Sequence, residues 1–332
     1  MTSGNSIHHG GTAPIGPRLL LSAGLLAAFA AAVLSPTALA QEAGTPVQVQ
    51  MRHTDFHVDS SIVMRIDFLR GELRPTKAGH APYFDDKQSF LLNIDSAQIA
   101  IAPSQLGTLL NRYTFDYPGA PIRRLKVSVE KGQIRQRGTM RGISFNILAD
   151  VTLTKEGELR LHPTSVKAVG IKVGGLMKFF GLHLEKLVKL RGVRGVRIEK
   201  DDFYLNPPEL LPPPLVKGKV GGVEVTDSAM VLTFQPQDSG AVKLLKVPEV
   251  KSENYMFYRG GVLRFGKLTM HETDLMIVDA EPKDPFDFFL DHYNAQLVAG
   301  YSRNTKDHGL IVMMPDYRRT LAPDGGRLQP PT

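Results

Sequence analysis

Alternation with a period of two is the feature that most restricts what this chain can fold into. Ile62, Met64, Ile66 and Phe68 alternate with Val63, Arg65, Asp67 and Leu69. Ile143, Phe145, Ile147, Ala149, Val151 and Leu153 form one apolar face, with Ser144, Asn146, Asp150 and Thr152 opposite and Leu148 as the exception. Ile122, Leu125, Val127 and Val129 read as a further strand, and Val223 and Val225 lead into Met230, Leu232 and Phe234. Successive side chains of a strand point to opposite sides, so these stretches predict antiparallel sheet with one dry face and one wet face. Turn signals stand between them at Lys131-Gly132, Lys155-Glu156-Gly157, Gly221-Gly222 and Gly260-Gly261.

Three segments carry a helical period instead, which makes the expected class α+β. The first covers 103–113, with Pro103 suited to an opening turn and Leu106, Leu109 and Leu110 on one side. The second covers 174–190. The third covers 285–298, with Asp284 as N-cap, Pro285 at the first helical position, and Phe286, Phe289, Leu290, Tyr293 and Leu297 at helical spacing.

The second helix is the most informative. At about 100° per residue, Val173, Leu176, Met177, Phe180, Gly181, Leu184, Leu187 and Val188 fall on one stripe, while Lys178, Glu185 and Lys189 stand opposite. Lys186 and His183 lie on a flank, and Phe179, Leu182 and Leu190 fall off the stripe. One reading is a helix that covers an open sheet. The other is a stripe facing a core or lipid channel, with a basic and partly apolar outer face at a membrane surface.

The N-terminus bears on the compartment. Residues 1–18 hold one formal charge, Arg18, and an apolar run from Leu19 to Leu34 follows. Ser35-Pro36-Thr37-Ala38-Leu39-Ala40 then supplies a helix breaker and a small-x-small pair. The run is shorter than the ~20 residues of a comfortable span, so the order predicts a signal peptide over 1–40 and a periplasmic or secreted mature chain beginning at Gln41. An uncleaved anchor is the competing reading. The predicted organisation continues with a β-rich domain over 41–246, a C-terminal extension over 247–317 packed on it, and a disordered tail over 318–332. Asn206-Pro-Pro-Glu-Leu-Leu-Pro-Pro-Pro214 reads as a stiff connector.

The chain has no cysteine, so disulfides, thiolate zinc sites and cysteine nucleophiles are excluded and the core must hold the fold. The formal charge of +7 suits anionic lipid head groups. Nucleic acid is not an expected partner of an exported chain. No Gly-x-Ser-x-Gly elbow, phosphate loop or dinucleotide fingerprint occurs. Ser128-Val-Glu-Lys131 matches Ser-x-x-Lys, but at the end of a strand rather than at a helix start. His53, His57 and Asp59 share a strand face and read as surface groups rather than a metal site. Asp279, Glu281, Asp284, Asp287, Asp291 and His292 form an acidic stretch without the internal glycine that calcium loops use. No cofactor, metal or catalytic set is expected.

The order of these pieces resembles a known family. A signal peptide, alternating strands, the short helix at Pro103–Tyr113, strands from Ile122 to Val173 and the amphipathic helix come first. A strand near Val196–Tyr204, Leu210-Leu211-Pro212 and Val216-Lys217-Gly218-Lys219-Val220 follow. The set is similar to the LmeA-like phospholipid-binding proteins of bacteria, themselves similar to the tubular lipid-binding superfamily, over roughly residues 90–234. The resemblance implies a curved antiparallel sheet wrapped around or packed on amphipathic helices, with an apolar groove for acyl chains. Residues 247–317 have no counterpart in it. On that basis the expected function is a non-enzymatic lipid binder or carrier. Phe145, Ile147 and Val151 would line the groove with Leu176, Phe180, Leu184 and Leu187. Lys178, Phe179, Leu182, Lys186 and Lys189 would meet an anionic membrane, and the ligand would be a phospholipid or another acyl lipid. A ligand-free assembly factor of the cell envelope and a secreted hydrolase are the alternatives.

Overall fold

The computed structural model describes residues 45–169, 193–236 and 242–330. The expected signal peptide and the expected helix 174–190, with Leu176, Phe180, Leu184, Leu187 and the membrane-facing group Lys178–Lys189, lie outside the described residues.

Long strands open the chain: β1 (Val47–Asp59), β2 (Ile62–Pro75) and β3 (Phe90–Ile101). A short helix α1 (Pro103–Leu109) follows and runs into a π-turn over Leu110–Thr114. Next come β4 (Ile122–Glu130), β5 (Gln133–Met140), β6 (Ile143–Leu153), β7 (Leu159–Val169), β8 (Val196–Glu199) and β9 (Asp202–Leu205). After the turn α2 (Pro207–Leu210) come β10 (Leu215–Lys217), β11 (Lys219–Val225), β12 (Met230–Gln235), β13 (Tyr255–Arg259), β14 (Val262–Phe265), β15 (Leu268–His271) and β16 (Asp274–Asp279). The chain closes with β17 (Phe286–Phe289), α3 (Tyr293–Ala299), β18 (Tyr301–Asn304), β19 (Leu310–Met314) and α4 (Tyr317–Thr320). Strand makes up 53% and helix 12% of the described residues, so among them ladder hydrogen bonds rather than helix packing carry the architecture.

The main sheet has the order β11-β12-β3-β2-β1-β13-β16-β19-β18 and curls into a half-barrel. Its curl has a local cause. Register shifts at Asp67 in β2, at Asp95 opposite Arg70–Gly71, between His57 and Asp59 in β1 and at Gly221 in β11 each add a residue to one strand. Such bulges bend and twist the strand that carries them. They also move the apolar phase. Phe68, expected on the inner face with Ile62, Met64 and Ile66, gives way to Leu69, which is fully buried. At Gly71 the strands approach so closely that a Cβ would lie 2.3 Å from the Asn93 carbonyl oxygen, which leaves no room for a side chain.

The expectation of a purely antiparallel sheet needs correction, because β1–β17, β3–β10 and β16–β19 run parallel. The long strands explain two of these. β1 is covered by β13 only from Gln48 to Arg52, and β17 takes the same edge from Thr54 to His57. β3 is likewise shared between β12 and β10. An unpaired buried edge would be costly, so a second short strand fills it.

This also corrects the helix expected over 285–298. Phe286–Phe289 is strand, and the α-helix begins only at Tyr293. On the edge of β17 away from β1, side chains replace a strand. The Asp287 amide donates to Asp316 Oδ1 (2.8 Å), the Phe289 amide to Gln296 Oε1 (3.1 Å), and Gln296 Nε2 to the Asp287 carbonyl (2.9 Å).

Residues 247–317 are not an extension packed on the sheet from outside: β13, β16, β18 and β19 are strands of it. Their convex face is covered by Leu245, Val247 and Val250, which pack on Tyr255, Phe257, Met276, Val278 and Ile311. The buried Arg70 ties this cover down, donating to the carbonyls of Val49 (3.1 Å) and Lys243 (3.2 Å). The tail expected to be disordered from 318 is anchored as far as Leu328, whose amide donates to the Ala299 carbonyl at 2.8 Å.

The second sheet has the order β4-β5-β6-β7-β9-β8. Phe145, Ile147 and Ala149 alternate with Ser144, Asn146 and Asp150, as the sequence predicts, and face the core.

Candidate functional site

The principal cleft lies against the inner face of the curled sheet. Met51 and Val58 come from β1, Met64, Ile66 and Leu69 from β2, Leu92, Ile99 and Ile101 from β3, and Met230, Leu232 and Phe234 from β12. These alternate positions share one side of the pleat, which is why four neighbouring strands present a continuous apolar wall.

The opposite wall comes from elsewhere in the chain. Leu106 and Leu109 of α1, Leu159 of β7 and Leu205 of β9 supply part of it. The proline segment supplies the rest: Pro207, Pro208, Leu210, Leu211 and Pro212–Pro214 all line the cleft. Prolines lack an amide donor, so this wall presents little that needs a hydrogen-bond partner. The segment read as a stiff connector is therefore part of the site. The signal for it was Leu210-Leu211, two large apolar residues inside a run that a solvent-exposed linker would not need to carry.

One group of cleft residues belongs to an aromatic cluster. Phe84 lies with its ring centroid 5.4 Å from Tyr258, 5.9 Å from Phe90, 5.3 Å from Phe265 and 5.8 Å from Tyr293, and Phe84, Phe90 and Tyr258 are on the cleft wall. Among the described residues that line it, Tyr258 and Lys87 are the ones with a hydroxyl or a charged group. Burial pushes the Tyr258 hydroxyl pKa up, so it stays neutral. Lys87 pairs with Asp291 at 2.7 Å.

The cavity between these walls is small, about 110 Å³. It is a long, narrow seam. Its described walls offer dispersion contacts and a desolvated apolar surface.

Phe145 and Ile147 are buried and Val151 is half-buried on β6, and none of the three lines this cleft. Their face packs into the core, and the helix expected opposite them lies outside the described residues. No family model, no curated protein and no solved structure matches the chain.

The other candidates do not converge. His53 sits at φ 45°, where β1 changes partner from β13 to β17. Asp59 accepts from Tyr113 Oη at 2.5 Å and from the Ser61 amide at 2.7 Å. His57, read as a surface group, bonds through Nε2 to the buried Asp287 and stacks on Phe289 at 5.1 Å. Ser128 is on β4 and Lys131 in the following turn.

The acidic stretch is used up by internal partners: Asn254 donates to Asp279, Arg319 pairs with Glu281, and His57 and Arg318 pair with Asp287. Among the described residues, no three His, Cys, Asp or Glu side chains are grouped to hold a metal.

Asp316 makes this region respond to pH. Burial raises its carboxyl pKa from 3.8 to about 7, against the bond from the Asp287 amide, and Asp279, Asp287 and Asp284 push it the same way. A pKa raised on folding means that the fold favours the neutral acid. Its contribution to stability is greatest below pH 3.8 and declines as pH rises to about 7. Asp316→Asn keeps a carbonyl for the Asp287 amide and removes the titration. The variant should be more stable than wild type at pH 8 by on the order of 2 kcal/mol and nearly equal to it at pH 4, as read by urea denaturation. A loss of stability at pH 8 would contradict this assignment.

Proposed function

We propose that this protein is a non-enzymatic lipid binder or carrier of the cell envelope. It holds an acyl chain of a phospholipid or related lipid in the seam between the curled sheet and the proline segment. The observation that supports this reading is the wall itself: strands from across one sheet, a helix and a proline run all turn apolar side chains to one cleft, whose described lining is apolar but for Lys87 and Tyr258. Each methylene that enters contributes about 0.8 kcal/mol, so affinity grows with the length of chain the seam admits.

The narrowness of the seam favours a second reading, in which the same faces are the dry core of a ligand-free envelope assembly factor.

One experiment separates the two. The chain has no tryptophan, so Met64→Trp puts a sole reporter on a half-buried position of the wall. For a lipid binder, native mass spectrometry of the purified protein shows co-purified lipid. Brominated acyl chains then quench the new fluorophore, with little change in melting temperature. For a filled core, nothing co-purifies, no quenching occurs, and overpacking costs about 1–3 kcal/mol.

A further inference from the structure

We infer that the outer face of the second sheet is a docking surface for anionic phospholipid membranes. Lys126 of β4 stands directly opposite Arg137 of β5, Arg137 opposite Asn146 of β6, and Asn146 opposite Lys167 of β7. Lys126, Arg137 and Lys167 are all exposed. Like charges facing each other across a ladder destabilise a sheet, so this row is kept at a cost to the fold.

The same face gains two more cations by construction. A register shift between Arg123 and Lys126 adds a residue to β4, and Arg123 and Arg124 are consequently both exposed although they are consecutive. Arg124 has φ 54° there, a conformation uncommon for a long side chain. The bulge is held from the core side. Asn111 donates to the Leu125 carbonyl at 2.7 Å and accepts from the Leu125 amide at 2.9 Å, replacing the ladder partner that the bulge removes. Arg141, at the tip of the β5–β6 hairpin, is exposed beside them. Arg135 on this face pairs with Glu130. None of Arg123, Arg124, Lys126, Arg137, Arg141 and Lys167 has an acidic partner among the described residues.

The shape of the array selects the partner. Its row spans four adjacent strands, roughly 14 Å at the usual strand spacing, on an open sheet surface. It has neither the helix or two-stranded ribbon that enters a duplex groove nor the aromatic platform that stacks single-stranded bases. A flat, diffuse anionic plane meets all the cations together, and their spacing is comparable to the screening length at moderate salt. This assignment does not depend on what fills the cleft.

The test is vesicle flotation of the wild type and of Lys126→Gln/Arg137→Gln/Lys167→Gln, prepared identically, on phosphatidylcholine vesicles with and without phosphatidylglycerol. Each cation near an anionic surface is worth roughly a fivefold change in partitioning, so the triple variant should bind the phosphatidylglycerol vesicles about a hundredfold more weakly at low salt. The difference should shrink as salt rises.

Its melting temperature should be equal to the wild type's or higher, because opposed charges have been removed; this separates a lost surface from a lost fold. Native mass spectrometry of the variant reports cleft occupancy separately. Equal flotation of wild type and variant would overturn the proposal. So would binding of a short DNA duplex that the variant loses, with neither protein floating.

Discussion

Phe84→Ala is expected to cost about 3–5 kcal/mol. Phe84 is 4% exposed and touches the rings of Phe90, Tyr258, Phe265 and Tyr293. It lies in the connection between β2 and β3. Its amide donates to the Arg264 carbonyl at 3.2 Å, while the Arg264 amide donates to the Pro82 carbonyl at 2.9 Å. The ring thus joins that connection, the cleft wall and the β14–β15 hairpin. Removing it leaves four aromatic partners around a void. Chemical denaturation should show a lower midpoint with an unchanged slope, since the same surface is still exposed on unfolding. Leu321→Ala, at a residue 67% exposed, should stay within about 0.5 kcal/mol of wild type. A Phe84→Ala loss no larger than that control would show that the cluster does not anchor the hairpin.

Asp287→Ala is expected to cost about 2–4 kcal/mol at neutral pH through loss of charge-assisted bonds. Its side chain is 2% exposed and accepts from His57 Nε2, from the Arg318 amide at 3.1 Å and from Arg318 Nε at 3.0 Å. Burial pushes the carboxyl pKa up, but the His57 and Arg318 bonds prevail and hold it below 3.8. A pKa lowered on folding supplies stability above the unfolded value, and that stability is lost as pH falls through the folded value. The gap between Asp287→Ala and wild type should therefore be widest at neutral pH and close in strong acid. This is the opposite sign to Asp316 two strands' ends away in sequence. Asp284→Ala is the control: that side chain is 58% exposed and lies 3.9 Å from Arg318, so its loss should cost under about 0.5 kcal/mol. A gap that widens on acidification would refute the network as described.

Much of the fold was legible locally. The alternation at Ile143–Leu153 became β6 with the predicted face buried, and Pro103 with its leucines became α1. The third helix was misplaced because Asp284, Pro285 and the phenylalanines satisfy a local helix rule, whereas the unpaired edge of β1 beyond Arg52 is a property of the assembled sheet. The phase error at Phe68 has the same origin. A bulge at Asp67 arises from how β2 meets β3, and one added residue turns every later side chain over.

The amino-acid sequence by itself determined that this chain builds sheets with one apolar side, held without disulfides, because the period of two and the lack of cysteine are local properties of the string. Tertiary structure alone decided which apolar side faces a cleft. Phe145 and Ile147 went into one sheet's core, while Ile66, Ile99 and Leu232 came to face a proline run from a different part of the chain. The alternating pattern is identical for a packed core and for a ligand wall. What separates them is the distance to the opposite wall, and that is set by bulges, shared edges and the path of residues 206–214 rather than by any one strand.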